Sequence, residues 1–96
     1  MKLSQRDQRQ LIRLLERLEL FKNGTLDLTV IIKDIEFLLD EMDNIDQNEK
    51  NAIRKNWLGL EVEHAEMLES GKITNSDQLI HQNIEEIKAR VKKLLA

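Results

Sequence analysis

The sequence contains no cysteine, proline or tyrosine, and its 96 residues include three glycines and three aromatic side chains. Without cysteine the chain can form neither a disulfide framework nor a thiolate metal site. Three aromatic residues are a poor basis for stacking nucleic-acid bases. No segment approaches the roughly 20 apolar residues of a membrane-spanning helix, and the N-terminus has no apolar signal core. The expectation is a soluble, cytoplasmic protein that does not insert into a membrane.

The residues that are abundant favour helix. Leucine, isoleucine, glutamate, lysine, arginine and glutamine dominate the sequence, and most of these are good helix formers. A chain of 96 residues is expected to form one domain, residues 1–96, with a modest core that needs no metal or disulfide. Apolar residues recur at helical spacing in four segments, which short polar connections separate. The prediction is an all-α protein, a four-helix bundle with antiparallel up-down topology.

Capping residues and glycines set the expected helix boundaries. The predicted helices are Gln5–Lys22, Leu28–Met42, the segment from the N-cap Asp46 to Ser70, and Asn75–Leu95. Further N-terminal capping signals are Asp27 and Thr74 with Asp77. Ser4 with Asp7 resembles a capping box, in which the shorter acid Asp7 is expected to reach back to the start of the helix. The predicted helix ends are Gly24 and Gly71, because glycine tolerates the left-handed conformation common there.

The third predicted helix contains the only tryptophan, Trp57, and a glycine in its middle, Gly59. Glycine costs about 1 kcal/mol relative to alanine inside a helix, so we expect a neighbouring helix to approach closely there. The apolar stripe of this helix is expected to face the core. Its members are Ile53, Trp57, Leu60, His64, Met67 and Leu68.

Glu61 and His64 match the Glu-x-x-His spacing of di-iron carboxylate bundles. That site needs a second such pair, and the sequence has none. We therefore expect no metal and interpret the two residues as a hydrogen-bonded polar pair on the core face, because an unpaired buried charge is costly. A cysteine nucleophile and a glycine-rich phosphate loop are absent, and the serines lie at predicted helix ends. No catalytic residue, cofactor or enzymatic activity is expected.

Charge is distributed unevenly along the chain. The net charge is −3 overall, but it is +3 over residues 1–22, −8 over residues 23–71 and +2 over residues 72–96. The acidic middle argues against nucleic acid as a partner, because phosphate binding needs clustered lysine and arginine. It suits a basic protein that long-range attraction steers to the surface. The alternative is that these acids form a solvated helix face.

The candidate partner-binding residues lie in this acidic segment. Phe37 stands among acids, as an interface anchor does. The alternative is that Phe37 packs under a loop or another helix. The partner-binding set consists of Asp34, Glu36, Phe37, Asp40, Glu41, Asp43, Glu63 and Glu66.

Two stretches of the chain resemble a known family. One is Phe21-Lys-Asn-Gly24-x-Leu26-x-Leu28, followed by Ile31, Ile35, Leu38 and Leu39. The other is Trp57-x-x-Leu60-Glu61-x-x-x-Ala65. Over about residues 20–68 they are similar to small all-helical proteins encoded beside bacterial polymorphic toxins, which include immunity proteins of contact-dependent growth inhibition systems. Similar sequences often carry an aromatic residue before the position of Ala65, where this chain has His64.

The resemblance implies a cognate toxin domain as partner, held in a tight one-to-one contact that covers the toxin's active site. The first hypothesis is therefore an immunity protein that neutralises a basic toxin domain, such as a nuclease. The second is a homodimeric helical adaptor or regulatory interaction module without catalysis. Its subunit contacts would be the heptad-like stripe of helix four and a second arc on helix three, Leu58, Val62 and Ala65.

Overall fold

A computed structural model describes residues 3–42, 44–70 and 76–96 of the chain. The described residues form four α-helices and no strand, so the all-α prediction is confirmed. The helices are α1 (Gln5–Lys22), α2 (Leu28–Asp40), α3 (Gln47–Ser70) and α4 (Ser76–Leu95). The helix α2 ends two residues before the predicted Met42. Gly71 and Thr74, predicted as a helix end and a cap, lie outside the described residues.

The described ends of α1 follow the capping signals in the sequence. At the start of α1, the Ser4 hydroxyl accepts a hydrogen bond from the Asp7 N–H at 3.1 Å. At its end, Gly24 has a φ of +82°, a conformation that favours glycine. The N–H of Gly24 bonds to the Phe21 carbonyl, and that of Thr25 bonds to the Leu20 carbonyl. These are the paired bonds of a Schellman motif, which turns the chain towards α2.

Asp7 has a different role from the one its spacing predicts. It was expected to reach back to the start of its own helix, but its carboxylate accepts a hydrogen bond at 3.0 Å from the Asn44 N–H in the α2–α3 connection. The side chain is 1% exposed. The reciprocal part of the predicted capping box is therefore wrong. The short side chain instead ties the start of α1 to a loop 37 residues away.

The hydrophobic core receives side chains from all four helices and from the α2–α3 connection. Each large aliphatic side chain buried here contributes roughly 1.5–3 kcal/mol relative to leaving it exposed. The helix α1 packs against α2 and α4, and α3 also packs against α2 and α4. The buried apolar residues are Leu11, Leu14, Leu18, Ile31, Ile32, Ile35, Leu38, Leu39, Met42, Ile45, Ile53, Leu60, Ile80, Ile84, Ile87 and Val91.

The close approach predicted at Gly59 is confirmed. A Cβ atom at this position would lie 2.8 Å from the Asn83 side-chain nitrogen on α4. The buried face of α3 is consequently rotated from the predicted stripe. It includes the polar residues Asn56 and Glu63, whereas Leu68 is exposed. Periodicity alone missed this rotation because the stripe was defined by apolar residues, while α4 packs along the side that carries Gly59.

Candidate protein-binding surface

The outer face of α2 is the side of that helix that points away from the core. Ile31, Ile35 and Leu38 fix the orientation of α2 by packing inward. The helical repeat then directs Val30 and Phe37 outward, one above the other. Phe37 is 61% exposed, so the alternative in which it packs under another element is wrong. A largely exposed aromatic ring on a small helical protein is a feature of contact surfaces.

Two of the candidate acids lie on the edge of α2 that faces α1. The Arg17 Nε atom lies 3.8 Å from an Asp34 carboxylate oxygen. The Arg6 guanidinium donates a hydrogen bond to Glu41 at 2.6 Å. Two arginines of α1 therefore complement the acidic helix beside them, and part of the negative charge of this edge is balanced inside the fold.

The other two acids of α2 lie on the edge that faces α3. Glu36 and Asp40 line a shallow groove of about 270 Å³, together with Leu39, Arg54 and Trp57. Two of these lining residues are paired, because the Arg54 guanidinium donates a hydrogen bond to the Asp40 carboxylate at 3.0 Å. Glu36 is exposed and has no ion pair within the described ranges. This edge therefore offers carboxylate charge to solvent beside an apolar groove floor.

A hydrogen bond from Trp57 links α3 to α2. Its indole N–H donates to the Ile32 carbonyl at 2.8 Å.

Glu61 and His64, the predicted polar pair of the core face, lie in different surroundings. Glu61 is exposed rather than paired in the core. His64 is half-buried, and its Nε2 atom lies 3.1 Å from the Thr29 hydroxyl. The predicted core pair of Glu61 and His64 is therefore wrong, although His64 does form a hydrogen bond between helices.

Among the remaining candidate residues, Glu63 does not belong to the exposed surface of the α2 acids. Glu63 is 9% exposed and lies one turn from Gly59, on the side of α3 that faces α4. The assignment of Glu63 to an exposed acidic surface is therefore wrong, because the side chain is buried. Glu66 is exposed and interacts within the chain. Asp43 lies outside the described residues.

The contact between α1 and α4 is also charged, and two glutamates there pair with lysines. The Lys22 Nζ atom lies 3.1 Å from a Glu85 carboxylate oxygen, and the Lys88 ammonium donates a hydrogen bond to the Glu19 carboxylate. The hydrogen bond from Lys88 lowers the pKa of Glu19, and the one from Lys22 lowers the pKa of Glu85. The same bond to Glu19 raises the pKa of Lys88.

The described residues include neither a candidate metal-binding cluster nor a helix that could span a membrane. They contain no group of three or more histidine, aspartate or glutamate side chains that could hold a metal ion. None of the described helices has the length and apolar content to cross a lipid bilayer. The outer surface of α2 and α3 combines an exposed aromatic residue, a groove and carboxylates.

Comparisons of the chain with models of known protein families, with curated proteins and with solved structures found no match.

Proposed function

We propose that this chain is an immunity protein, which binds and neutralises a basic bacterial toxin domain through the outer face of α2. The observation that carries the proposal is the exposure of Phe37 on a helix with carboxylates along both edges. A fully desolvated aromatic anchor can contribute about 2 kcal/mol or more at the centre of an interface. The acidic rim would steer a cationic partner and set its orientation. A nuclease is the preferred toxin class, because a cleft that attracts phosphates also attracts carboxylates.

The internal arginines fit this proposal. The pairs of Arg6 with Glu41, and of Arg54 with Asp40, lie at partly exposed positions. Exposed ion pairs contribute only about 0–1 kcal/mol, so a partner's cations can replace them at small cost. In the free protein these arginines would hold the carboxylates in ordered positions.

The scaffold for this surface is proposed to be an antiparallel up-down bundle. Contacts near opposite helix ends support it, because Arg6 early in α1 meets Glu41 just after α2. Glu49 early in α3 lies 3.8 Å from Arg90 late in α4. Such a scaffold would present α2 as a rigid element, which reduces the entropy lost on binding. The chain is proposed to act in the cytoplasm without catalysis, metal or cofactor.

The second hypothesis is a homodimeric adaptor, and exposed residues on α3 favour it. Leu58 and Val62 are exposed and would form a subunit contact. The stripe of α4 is unavailable for this role, since Ile80, Ile84 and Val91 are buried within the bundle. Analytical ultracentrifugation separates the hypotheses, because a dimer that resists dilution supports the adaptor and a dilute monomer argues against it.

The direct test uses the protein encoded by the gene adjacent to that of this chain, which the proposal expects to contain the toxin domain. The purified chain should inhibit that domain at a one-to-one ratio. Phe37→Asp should abolish inhibition, while Ile12→Asp, which changes an exposed apolar residue on α1, should not. Equal inhibition by both variants would show that Phe37 is not part of the contact. The absence of inhibition by the parent protein would reject the immunity function.

A further inference from the structure

A second groove, of about 520 Å³, lies between α1 and α4. Since α1 and α3 each pack against α2 and α4, this groove and the one between α2 and α3 are on opposite sides of the bundle. Its apolar surface comes from two leucines, of which Leu20 is 36% exposed. We name it the α1–α4 groove, and its lining residues are Leu15, Glu16, Glu19, Leu20, Lys88 and Lys92.

The ion pairs between α1 and α4 follow a regular register. Lys22 pairs with Glu85, and Glu19 pairs with Lys88. A step of three residues towards the start of α1 therefore accompanies a step of three residues towards the end of α4. Each step is close to one helical turn, so opposite charges meet at successive levels along the contact.

The next level of this register contains Glu16 on α1 and Lys92 on α4, and there the charges do not meet. Both side chains are exposed and line the groove, but neither makes an ion pair within the part of the chain that the structure describes. Arg13 lies one turn before Glu16, yet it lines a separate hollow with Arg6 and Arg9. The groove therefore separates two opposite charges that continue the register.

A partner surface of one charge sign does not match this groove. The lining has two glutamates and two lysines, so a uniformly basic or acidic surface would face like charges as well as opposite ones. A matching partner needs both signs at the spacing of the register. A second copy of this chain supplies them by symmetry when a two-fold axis runs along the groove, because α1 of each copy then lies against α4 of the other at the same level.

We propose that the α1–α4 groove is the contact surface of a homodimer, in which Glu16 of each copy pairs with Lys92 of the other copy. Glu19 of each copy would face Lys88 of the other, so the level that is paired within the fold stays complementary across the contact. The apolar surface of Leu20 would be covered. The contact lies opposite the α2–α3 groove, so each copy would keep its own α2 face free, and the inference does not depend on the proposed function.

The dimer is expected to be weak. Exposed ion pairs contribute little net free energy, and the apolar surface of the groove comes from two leucines. We therefore expect association at high protein concentration and dissociation on dilution. This behaviour differs from the dilution-resistant dimer of the adaptor hypothesis.

The test measures the dimer by analytical ultracentrifugation of the full chain at low salt, where exposed charges are least screened. Glu16→Lys and Lys92→Glu each bring like charges together and should raise the dissociation constant of the dimer by at least about tenfold. The variant with both changes keeps the net charge of −3 and should dimerise as the parent chain does. Glu86→Lys and Lys93→Glu make matched charge changes at exposed α4 residues outside the groove and should have little effect.

A mixture of the two single variants gives the sharpest result. Alone, Glu16→Lys places lysine against lysine, and Lys92→Glu places glutamate against glutamate. In a heterodimer of the two variants, both contacts join opposite charges, so a one-to-one mixture should associate more strongly than either variant alone. Each variant shifts the parent net charge of −3 by two units and stays negative, so overall attraction between the two cannot explain this gain.

Three results would overturn the inference. They are a parent chain that remains monomeric at about 1 mM, a dimer that both single reversals leave intact, and a mixture that associates no better than its components. A dimer that Val62→Asn dissociates instead would also overturn it, by placing the contact on α3. Thermal unfolding checks that every variant remains folded. Toxin inhibition is not measured here, so the loss of the dimer would leave the proposed function standing.

Discussion

The contact between α1 and α4 and the outer surface of α2 and α3 use charge in different ways. Along the first, Lys22 pairs with Glu85 and Lys88 pairs with Glu19, and the pKa values of both glutamates are lowered. Along the second, Glu36 and Glu61 are exposed near the apolar residues Phe37 and Val62. The first region pairs two glutamates with lysines across the helix contact, whereas the second leaves Glu36 without an ion pair among the described residues, next to the largely exposed Phe37.

The comparison shows why net charge alone is a weak guide to function. Several acids of the middle segment, such as Asp34 and Glu41, have arginine neighbours from α1. The candidate surface is therefore defined by where carboxylates and exposed apolar residues coincide. The mutations below separate residues that hold the fold together from residues that would serve binding.

The largest effect on stability is expected from truncating the core that both regions share. Ile87→Ala removes a fully buried side chain of α4 and should lower the free energy of unfolding by about 2–5 kcal/mol. Urea denaturation measures this change. Leu79→Ala, at an exposed position of the same helix, is the control and should change stability by no more than about 0.5 kcal/mol.

Asp7→Ala should cost about 1–3 kcal/mol, because it removes a buried carboxylate that accepts a hydrogen bond from the Asn44 N–H. Asp27→Ala is a suitable comparison, because Asp27 occupies a helix N-cap but makes no side-chain capping bond. Denaturation midpoints of the two variants should differ clearly. Similar midpoints would mean that Asp7 does not stabilise the α2–α3 connection.

Phe37→Ala should separate binding from stability. The free energy of unfolding should change by less than about 0.5 kcal/mol, since the ring is largely exposed. Affinity for the adjacent-gene toxin domain should fall by about 2 kcal/mol, as expected for an interface anchor. Calorimetry measures both quantities. A large loss of stability with unchanged affinity would give Phe37 a structural role.

The smallest effect concerns pH and the paired region. The lowered pKa of Glu19 means that its contribution to stability is present above the unfolded-state pKa and is lost as pH falls through the folded-state value. The pKa of Lys88 is raised, so its contribution to stability is lost at alkaline pH, as the pH rises through the folded-state value. Glu19→Gln should therefore flatten the loss of stability below about pH 4.3. Thermal melts across pH measure this, and an unchanged acid limb would argue against the pair.

The sequence predicted those parts of the fold that local chemistry determines. The bounds of α1, the left-handed Gly24 and the approach at Gly59 follow from single residues and their neighbours. The bond between Asp7 and Asn44 could not be predicted, because it joins residues that are distant in sequence.

Contacts between residues distant in sequence also limited how well the candidate surface could be predicted. Phe37 is exposed, as its prediction as a candidate anchor among acids requires, because the buried residues of α2 turn it away from the core. Glu63 was placed on the exposed surface because its residue type suggests exposure, yet the packing of α4 beside Gly59 buries it. Polar residues in a helix interface are missed by any argument that identifies burial with apolar character.

The most direct test of the account compares two charge reversals by stopped-flow association with the adjacent-gene toxin domain. Glu36→Lys with Asp40→Lys changes the α2 face, and Glu16→Lys with Glu86→Lys makes the same change in net charge on α1 and α4. We predict that the first pair slows association by at least about tenfold and weakens its salt dependence, while the second has little effect. Equal association rates for the two double variants would contradict the claim that the α2 face receives the partner.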